Sequence, residues 1–341
     1  MSPYSLSIIV PVLNEAEALP RLLEDLHRQT GVSADICLVD GGSVDDTAAI
    51  ARKGNGRLLA SSPGRARQLN RGAETARSDF LLFLHADSRL PRHDLLEKAI
   101  ACLVSAQRLA GHDRIAGHFP LLFDGIPGKG RPPRYWEVKT RSNRPGTIHG
   151  DQGLLLSTGF FRELGPFDQS LPYMEDEEMA RRIARRGRWI TLPGHLLTSS
   201  RRFQQEGLSG RMVLNALIQL AWQAGCPDFL HRAPDLYRAQ GRNPKRALAP
   251  FFALFHHEVR QKSFLSFWYQ AGSCLRQELW QPLLLLDLLL FRKVRPLLVV
   301  HDHLLAPALR ILPLDGLFGV LAFLLFGLLW GTYRLLEASR P

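Results

Sequence analysis

Cysteine is scarce: four in 341 residues, at Cys37, Cys102, Cys226 and Cys274, with no CxxC pair among them. Spacing this wide excludes a structural zinc site and a disulfide framework, and it suits a reducing cytosol. The first residues lack the basic flank and apolar stretch of a secretory signal, and Pro3 leads straight into a β-type run. Acidic charge is also short, with 32 Asp and Glu against 43 Lys and Arg and a net charge of +11. Zinc-finger spacing, an RNP-type aromatic motif and a helix-turn-helix are absent, so nucleic acid is not the partner this excess implies. Arginines beside leucine-rich segments suit an anionic membrane surface or anionic substrates instead. The first apolar run ends in Pro11-Val12-Leu13-Asn14-Glu15, which is no glycine-rich phosphate loop. That weighs against a nucleotidyltransferase.

What is present is alternation. Leu6–Val12 is a continuous β-branched run, and Asn14 offers a cap for a helix carrying Leu19, Leu22, Leu23 and Leu26. Asp35–Val39 is a second strand closed by Asp40. Ser43 or Asp45 is placed to cap the helix that carries Thr47, Ile50 and Ala51. Arg57–Ala60 and Phe80–Leu84 are further strands; helices open near Gly64 and run from Asp94 to Ala110. Strand and helix alternating four times predict an α/β fold with a doubly wound, mainly parallel sheet. Residues 111–150 loosen into Gly, Pro and Arg and read as a long functional loop. Beyond it come a strand at Gly153–Ser157, a helix at Phe160–Leu164, a helix at Asp176–Arg186 and a strand at Trp189–Leu192.

Three acidic stations stand out: Asp40 at the tip of the second strand, Asp87 after Phe80–Leu84, and Glu175-Asp176-Glu177-Glu178. In open α/β sheets ligands bind beyond the carboxyl ends of the strands, where Asp40 and Asp87 fall. Moving a sugar from a nucleoside diphosphate requires a neutralised diphosphate, a held nucleoside and a deprotonated acceptor hydroxyl. Asp87 is the candidate ligand for Mn²⁺ or Mg²⁺, which favour oxygen donors. Asp40 suits the base or ribose. Asp176 reads either as a general base or as a helix-start carboxylate that favours the dipole.

The chain from about 5 to 235 resembles the inverting family 2 glycosyltransferases with the GT-A fold. It looks most like a small bacterial subgroup sometimes linked to arsenosugar or carotenoid glycosylation. The segments that carry the resemblance are Ile8–Glu15, Val39–Thr47, Gly64–Asn70, Phe83–Asp87, Gly150–Gly153 and Met174–Asp176. By that resemblance Pro11, Glu15, Asp40 and an arginine of the Arg65, Arg67 pair line the donor pocket. Asp87 is the metal-binding aspartate of a DxD-type motif, and Asp176 the base of an ED motif. Asp151, Glu175, Arg201 and Arg202 fall on the acceptor side. The donor implied is a UDP- or GDP-sugar, and the mechanism a direct displacement. His85 stands where the motif has its first aspartate, and Leu13 replaces a commonly aromatic position. The Gln-x-x-Arg-Trp motif of processive polysaccharide synthases is absent, which points to single-sugar transfer. A decayed, non-catalytic membrane scaffold is the competing reading.

This gives a GT-A domain over 1–238, with a nucleotide half to about 110 and an acceptor half from about 111, followed by a helical hydrophobic extension over 239–341. Pro282–Phe291 is nearly all leucine, broken by Asp287, and Gly316–Tyr333 carries no charge. That last run is at the short end of what spans a bilayer. It reads as one true span, as a shallow hairpin or interfacial helix, or as part of a soluble helical or dimerising domain. The expectation is a membrane-associated protein whose catalytic domain rests on the cytoplasmic side of the inner membrane, with an acceptor of hydrophobic or lipid-linked character.

Overall fold

The first strand, β1 (Ser5–Val12), is buried from Leu6 through Val10, because strands flank it on both edges and helices cover both faces. Its alternate side chains serve two cores: Leu6, Ile8 and Val10 join one, Ile9 the other. Each such side chain withdrawn from water contributes about 1.5–3 kcal/mol, which holds the register. The computed structural model describes residues 4–124, 131–144, 146–199, 208–240, 247–291 and 294–338. Its contacts divide the chain into two compact units, Met1–Gly128 with Trp136–Ser200, and Lys129–Tyr135 with Arg201–Pro341. Residues 208–238, placed with the transferase domain on sequence, are thus helical parts of the second unit.

In the first unit β1 pairs in parallel with β2 (Ser33–Asp40) and with β4 (Phe80–Phe83), and β2 with β3 (Arg57–Ala60). The connecting helices are α1 (Leu19–His27), α2 (Thr47–Lys53) and α3 (Arg65–Glu74); α4 (Leu95–Ala110) follows β4. The sheet continues through β7 (Leu154–Ser157), β5 (Ile115–His118) and β8 (Arg188–Thr191), in the order β3-β2-β1-β4-β7-β5-β8. The expected α/β class with a mainly parallel sheet is present, with one refinement: β7 runs antiparallel to both of its neighbours. Helix α6 (Thr158–Leu164) and helix α7 (Glu175–Arg186) pack Phe160, Phe161, Met179 and Ile183 into the core on the Ile9 side.

Three local expectations are corrected. Residues 111–150 are no continuous loop, since β5, β6 (Leu121–Asp124) and the helix α5 (Arg131–Lys139) lie within them. Strand β6 pairs with a late strand, β9 (Leu196–Ser199), which short-range pattern does not reveal. Asn14 is no helix cap: its backbone is left-handed at φ 55°, α1 begins five residues later, and Pro20 sits in its first turn. The Asn14 side chain instead accepts from Val44 N–H at 2.9 Å. Ser43 caps no helix amide either: its hydroxyl accepts the Asn14 N–H at 3.0 Å and donates to Asp40 Oδ1 at 2.6 Å, while Asp45 takes the Thr47 N–H at 3.0 Å.

The second unit is helical: α8 (Leu208–Gln223), α9 (Pro227–Ala239), α10 (Ala249–Val259), α11 (Phe264–Gln277) and α12 (Trp280–Leu290). Then come α13 (Pro296–Val300), a π-helical turn over His301–Leu305, α14 (Ala306–Ile311) and α15 (Asp315–Ala338). Three of its carboxylates satisfy helix N-termini that would otherwise leave N–H groups unpaired. Glu258 takes the N–H of Phe229 at 2.6 Å and of Asp228 at 3.3 Å, and Glu337 those of Leu248 at 2.6 Å and Ala249 at 3.2 Å. Asp287, the break in the leucine run, is fully buried and takes those of Leu297 at 3.0 Å and Leu298 at 2.8 Å. Helix α15 is long and apolar enough to cross a membrane.

Candidate active site

The carboxyl ends of β1 and β2 are tied together before any side chain reaches out. Gly41 N–H donates to Val12 O at 3.0 Å. The buried Gln68 of α3 donates its amide to Val12 O at 2.9 Å and Val39 O at 2.7 Å, closing the gap where the two strands splay. Asp40 sits at that edge with Oδ1 engaged by Ser43, and Glu15 N–H donates to Thr47 Oγ1 at 2.7 Å. Pro11, Glu15 and Asp40 therefore belong to one braced turn cluster at the strand ends.

A second cluster gathers around the start of α7. Gly150 N–H donates to Asp176 Oδ2 at 2.7 Å, and Glu177 N–H to Asp176 Oδ1 at 2.8 Å. Arg65 reaches Glu175 Oε1 at 3.4 Å; Arg65 is 41% exposed while Glu175 is 1% exposed. Arg67 turns away and donates to Pro63 O at 2.9 Å, so of the arginine pair only Arg65 faces the acidic cluster. Gly150 is closely approached: a Cβ there would lie 2.8 Å from His85 Nε2 and 3.1 Å from Asp176 Oδ2, so those side chains would have to give way. These groups line a cavity of about 30 Å³ with His149 and Leu84, room for roughly one water.

The charges in this cluster are unevenly held. Burial pushes Asp151 up to about 7, and the neighbouring Asp176 and Asp87 carboxylates add to the rise against the pull of Arg65. One of its oxygens, Oδ1, is buried without a hydrogen-bond partner. Burial also drives His149 down to about 4, with Lys139 contributing. Asp176 moves the other way: burial opposes its charge, but surrounding cations and the Gly150 N–H hold it below the usual carboxylate range. With His149 neutral near pH 7, the groups that favour that charge include Arg65, His85 and the backbone N–H donors. Glu175, buried beside Asp176, is raised. The two neighbours thus shift in opposite directions.

Residues 7–149 match glycosyl transferase family 2. The N-terminal part of this chain is a family 2 glycosyltransferase domain. A PGL/p-HBAD biosynthesis glycosyltransferase of Mycobacterium bovis is 38% identical over 108 residues, 30% of this chain and 42% of that protein. The chain thus spans less than half the length of that relative. An undecaprenyl-phosphate 4-deoxy-4-formamido-L-arabinose transferase of Pseudomonas fluorescens is 33% identical over 109 residues, 28% of this chain and 32% of that one. Among solved structures, a mannosyltransferase of Pyrobaculum calidifontis in complex with GDP-Man and Mn²⁺ is 18% identical, with a TM-score of 0.46 over 94% of this chain and 86% of that one.

Within the glycosyltransferase domain, Asp87 is half-buried in the turn after β4, and Asp151 responds to its charge. Among the described residues no group of three His, Cys, Asp or Glu side chains forms a ready metal cage. A cation in a phosphate-transfer site needs only one or two carboxylates, the rest of its shell being substrate phosphate and water. Asp87, with the unpartnered Oδ1 of Asp151 in the same acidic cluster, fits that requirement.

Sequence pattern missed Asp25. This residue of α1 is 5% exposed, accepts Arg89 Nε at 2.6 Å and Arg89 Nη2 at 3.1 Å, and takes Leu90 N–H at 2.9 Å. It clamps the chain two to three residues beyond Asp87. The signal available was a lone acid among the inward leucines of α1. Gln68 was equally legible as one of two polar residues, with Asn70, buried on α3. Arg201 and Arg202 lie outside the described residues.

Proposed function

We propose that this chain is an inverting glycosyltransferase that moves a single sugar from a UDP- or GDP-sugar to an acceptor hydroxyl. One observation carries the reading: an ionised Asp176, held by two backbone N–H groups, beside Arg65 in an acidic cluster beyond the strand ends. In this mechanism Asp176 accepts the proton of the acceptor hydroxyl. The hydroxyl oxygen attacks the anomeric carbon from the face opposite the diphosphate, the bond to the diphosphate oxygen breaks, and the configuration inverts in that one displacement. Arg65 faces the charge that develops on the leaving diphosphate. Asp40, Pro11 and Glu15 hold the nucleoside. Asp87 and Asp151 are the residues that would hold Mn²⁺ or Mg²⁺, which when bound neutralises diphosphate charge.

The acceptor is hydrophobic or lipid-linked, and the protein rests on the cytoplasmic membrane surface. Two observations support this: the apolar α15, 11% of whose most apolar stretch is buried, and a relative named for undecaprenyl phosphate. Nucleotide sugars are cytosolic, which sets the side.

The test is donor hydrolysis by the purified full-length protein with UDP- or GDP-sugars, in Mn²⁺, Mg²⁺ or EDTA. Asp176→Asn should bind donor yet turn over at least about 10²-fold more slowly, the usual scale of a lost general base. Asp87→Asn should lose metal-dependent donor binding. If no nucleotide binds under any metal, the reading fails.

A further inference from the structure

Helix α15 is bound to its own unit from end to end. At its start Asp315 accepts Arg276 Nε of α11 at 2.7 Å, and at its end Glu337 takes the first amides of α10. Between these ends the contacts descend in register. Gly319 crosses Gly272 so closely that a Cβ on Gly272 would lie 2.2 Å from Gly319 N. Phe323 meets Phe264, Phe326 meets Phe255, Trp330 meets His256, and Tyr333 stacks on Phe252. The run α10, junction, α11 is therefore an antiparallel partner along the whole of α15. At 1.5 Å per residue its 24 residues extend about 36 Å, near the thickness of a bilayer core.

That pairing decides how the helix meets lipid. The junction between α10 and α11 lies level with the stretch of α15 from Phe323 to Trp330, its middle. It carries the exposed Arg260 and Gln261, and Lys262, whose ammonium donates to Gly225 O at 2.6 Å. The start of α9, docked on the same level through Glu258, presents Asp228, His231 and Arg232 to solvent. Were α15 to cross a bilayer, all of these would sit at the midplane, some 15 Å from either surface, beyond the reach of a snorkelling side chain. The face of α15 turned away from them is different: Leu317, Leu321, Leu324, Leu328 and Leu335 are all exposed and share one side of the helix. The layer is polar on one side and apolar on the other, the character of a helix that lies in an interface.

We propose that α15 lies along the membrane plane within one leaflet, with both ends on the same side of the bilayer and its leucine face in the acyl region. This rests on the membrane association proposed above and specifies its geometry.

The test uses the full chain in a bacterial host, with green fluorescent protein or alkaline phosphatase fused after Pro341. A second readout is Gly316→Cys, where an added Cβ meets nothing, with Cys102 and Cys274 changed to Ser. A membrane-impermeant maleimide is applied to intact spheroplasts and then after lysis. The expected result is protein in the membrane fraction, a fluorescent fusion, an inactive phosphatase, and thiol labelling only after lysis. An active phosphatase, or labelling of G316C in intact spheroplasts, overturns the in-plane placement while leaving membrane association standing. Recovery of the chain in the soluble fraction overturns both.

Discussion

Gly150 and Asp176 are joined by a 2.7 Å hydrogen bond from the glycine N–H to the aspartate Oδ2, across 26 positions of sequence. The contact brings the loop before β7 to the first turn of α7. A side chain at 150 would have to displace the His85 ring, whose Nε2 would lie 2.8 Å from the added Cβ. Asp176 is thus oriented by two backbone N–H groups, those of Gly150 and Glu177.

Gly150→Ala should displace His85 and tilt Asp176. Because a shift of about 1 Å at a reacting centre costs on the order of 10²-fold in rate, turnover should fall by roughly that factor. The fold should persist, so circular dichroism and thermal melting should stay near wild type while donor turnover collapses. A variant with wild-type turnover would show that the Gly150 contact is dispensable.

Asp25→Ala leaves the Arg89 guanidinium without the carboxylate that holds it, and Leu90 N–H unpaired. Breaking such a pair costs about 3–5 kcal/mol when fully buried, and Arg89 at 29% exposure keeps some water, so the loss should fall below that range. Denaturant unfolding measures it. The apparent metal affinity should weaken in the folded fraction as well, since the clamp holds the chain just beyond Asp87.

Asp151 should make the metal-free protein less stable as pH rises. Its folded-state pKa, about 7, lies above the ordinary carboxylate value, so its contribution is fully present below that ordinary value and is lost as pH climbs toward 7. In EDTA, the melting temperature of wild type should fall between about pH 4 and 7 relative to Asp151→Asn, and level off above. Saturating Mn²⁺ should narrow the difference, because a cation favours the ionised carboxylate. Parallel curves in EDTA would contradict the assignment.

Asp287→Leu extends the leucine run but strands the N–H groups of Leu297 and Leu298. Losing a capping side chain costs about 0.5–2 kcal/mol, and burial puts this site toward the upper end. Proteolysis of detergent-solubilised protein should show earlier cleavage around residues 290–297. Unchanged cleavage would mean the amides find another acceptor.

The alternation of strand and helix was legible because a buried parallel strand reads as a continuous apolar run. That determined β1 to β4, the placement of Asp40 at a strand end and Asp87 beyond one, and the helix read from Asp176, one residue inside its observed start at Glu175. It also determined that the C-terminal third is apolar and helical. The sequence alone did not reveal β5, β6 and β9, which are four residues each and owe their pairing to distant partners. Nor did it separate Arg65 from Arg67, because the choice depends on where α7 lies relative to α3. Only the tertiary structure gathered Asp87, Asp176 and Arg65 around Asp151, and only it laid α15 beside a charged junction. Local pattern reports which face of an element is apolar; which charges come to share one small volume is set by packing between residues a hundred positions apart.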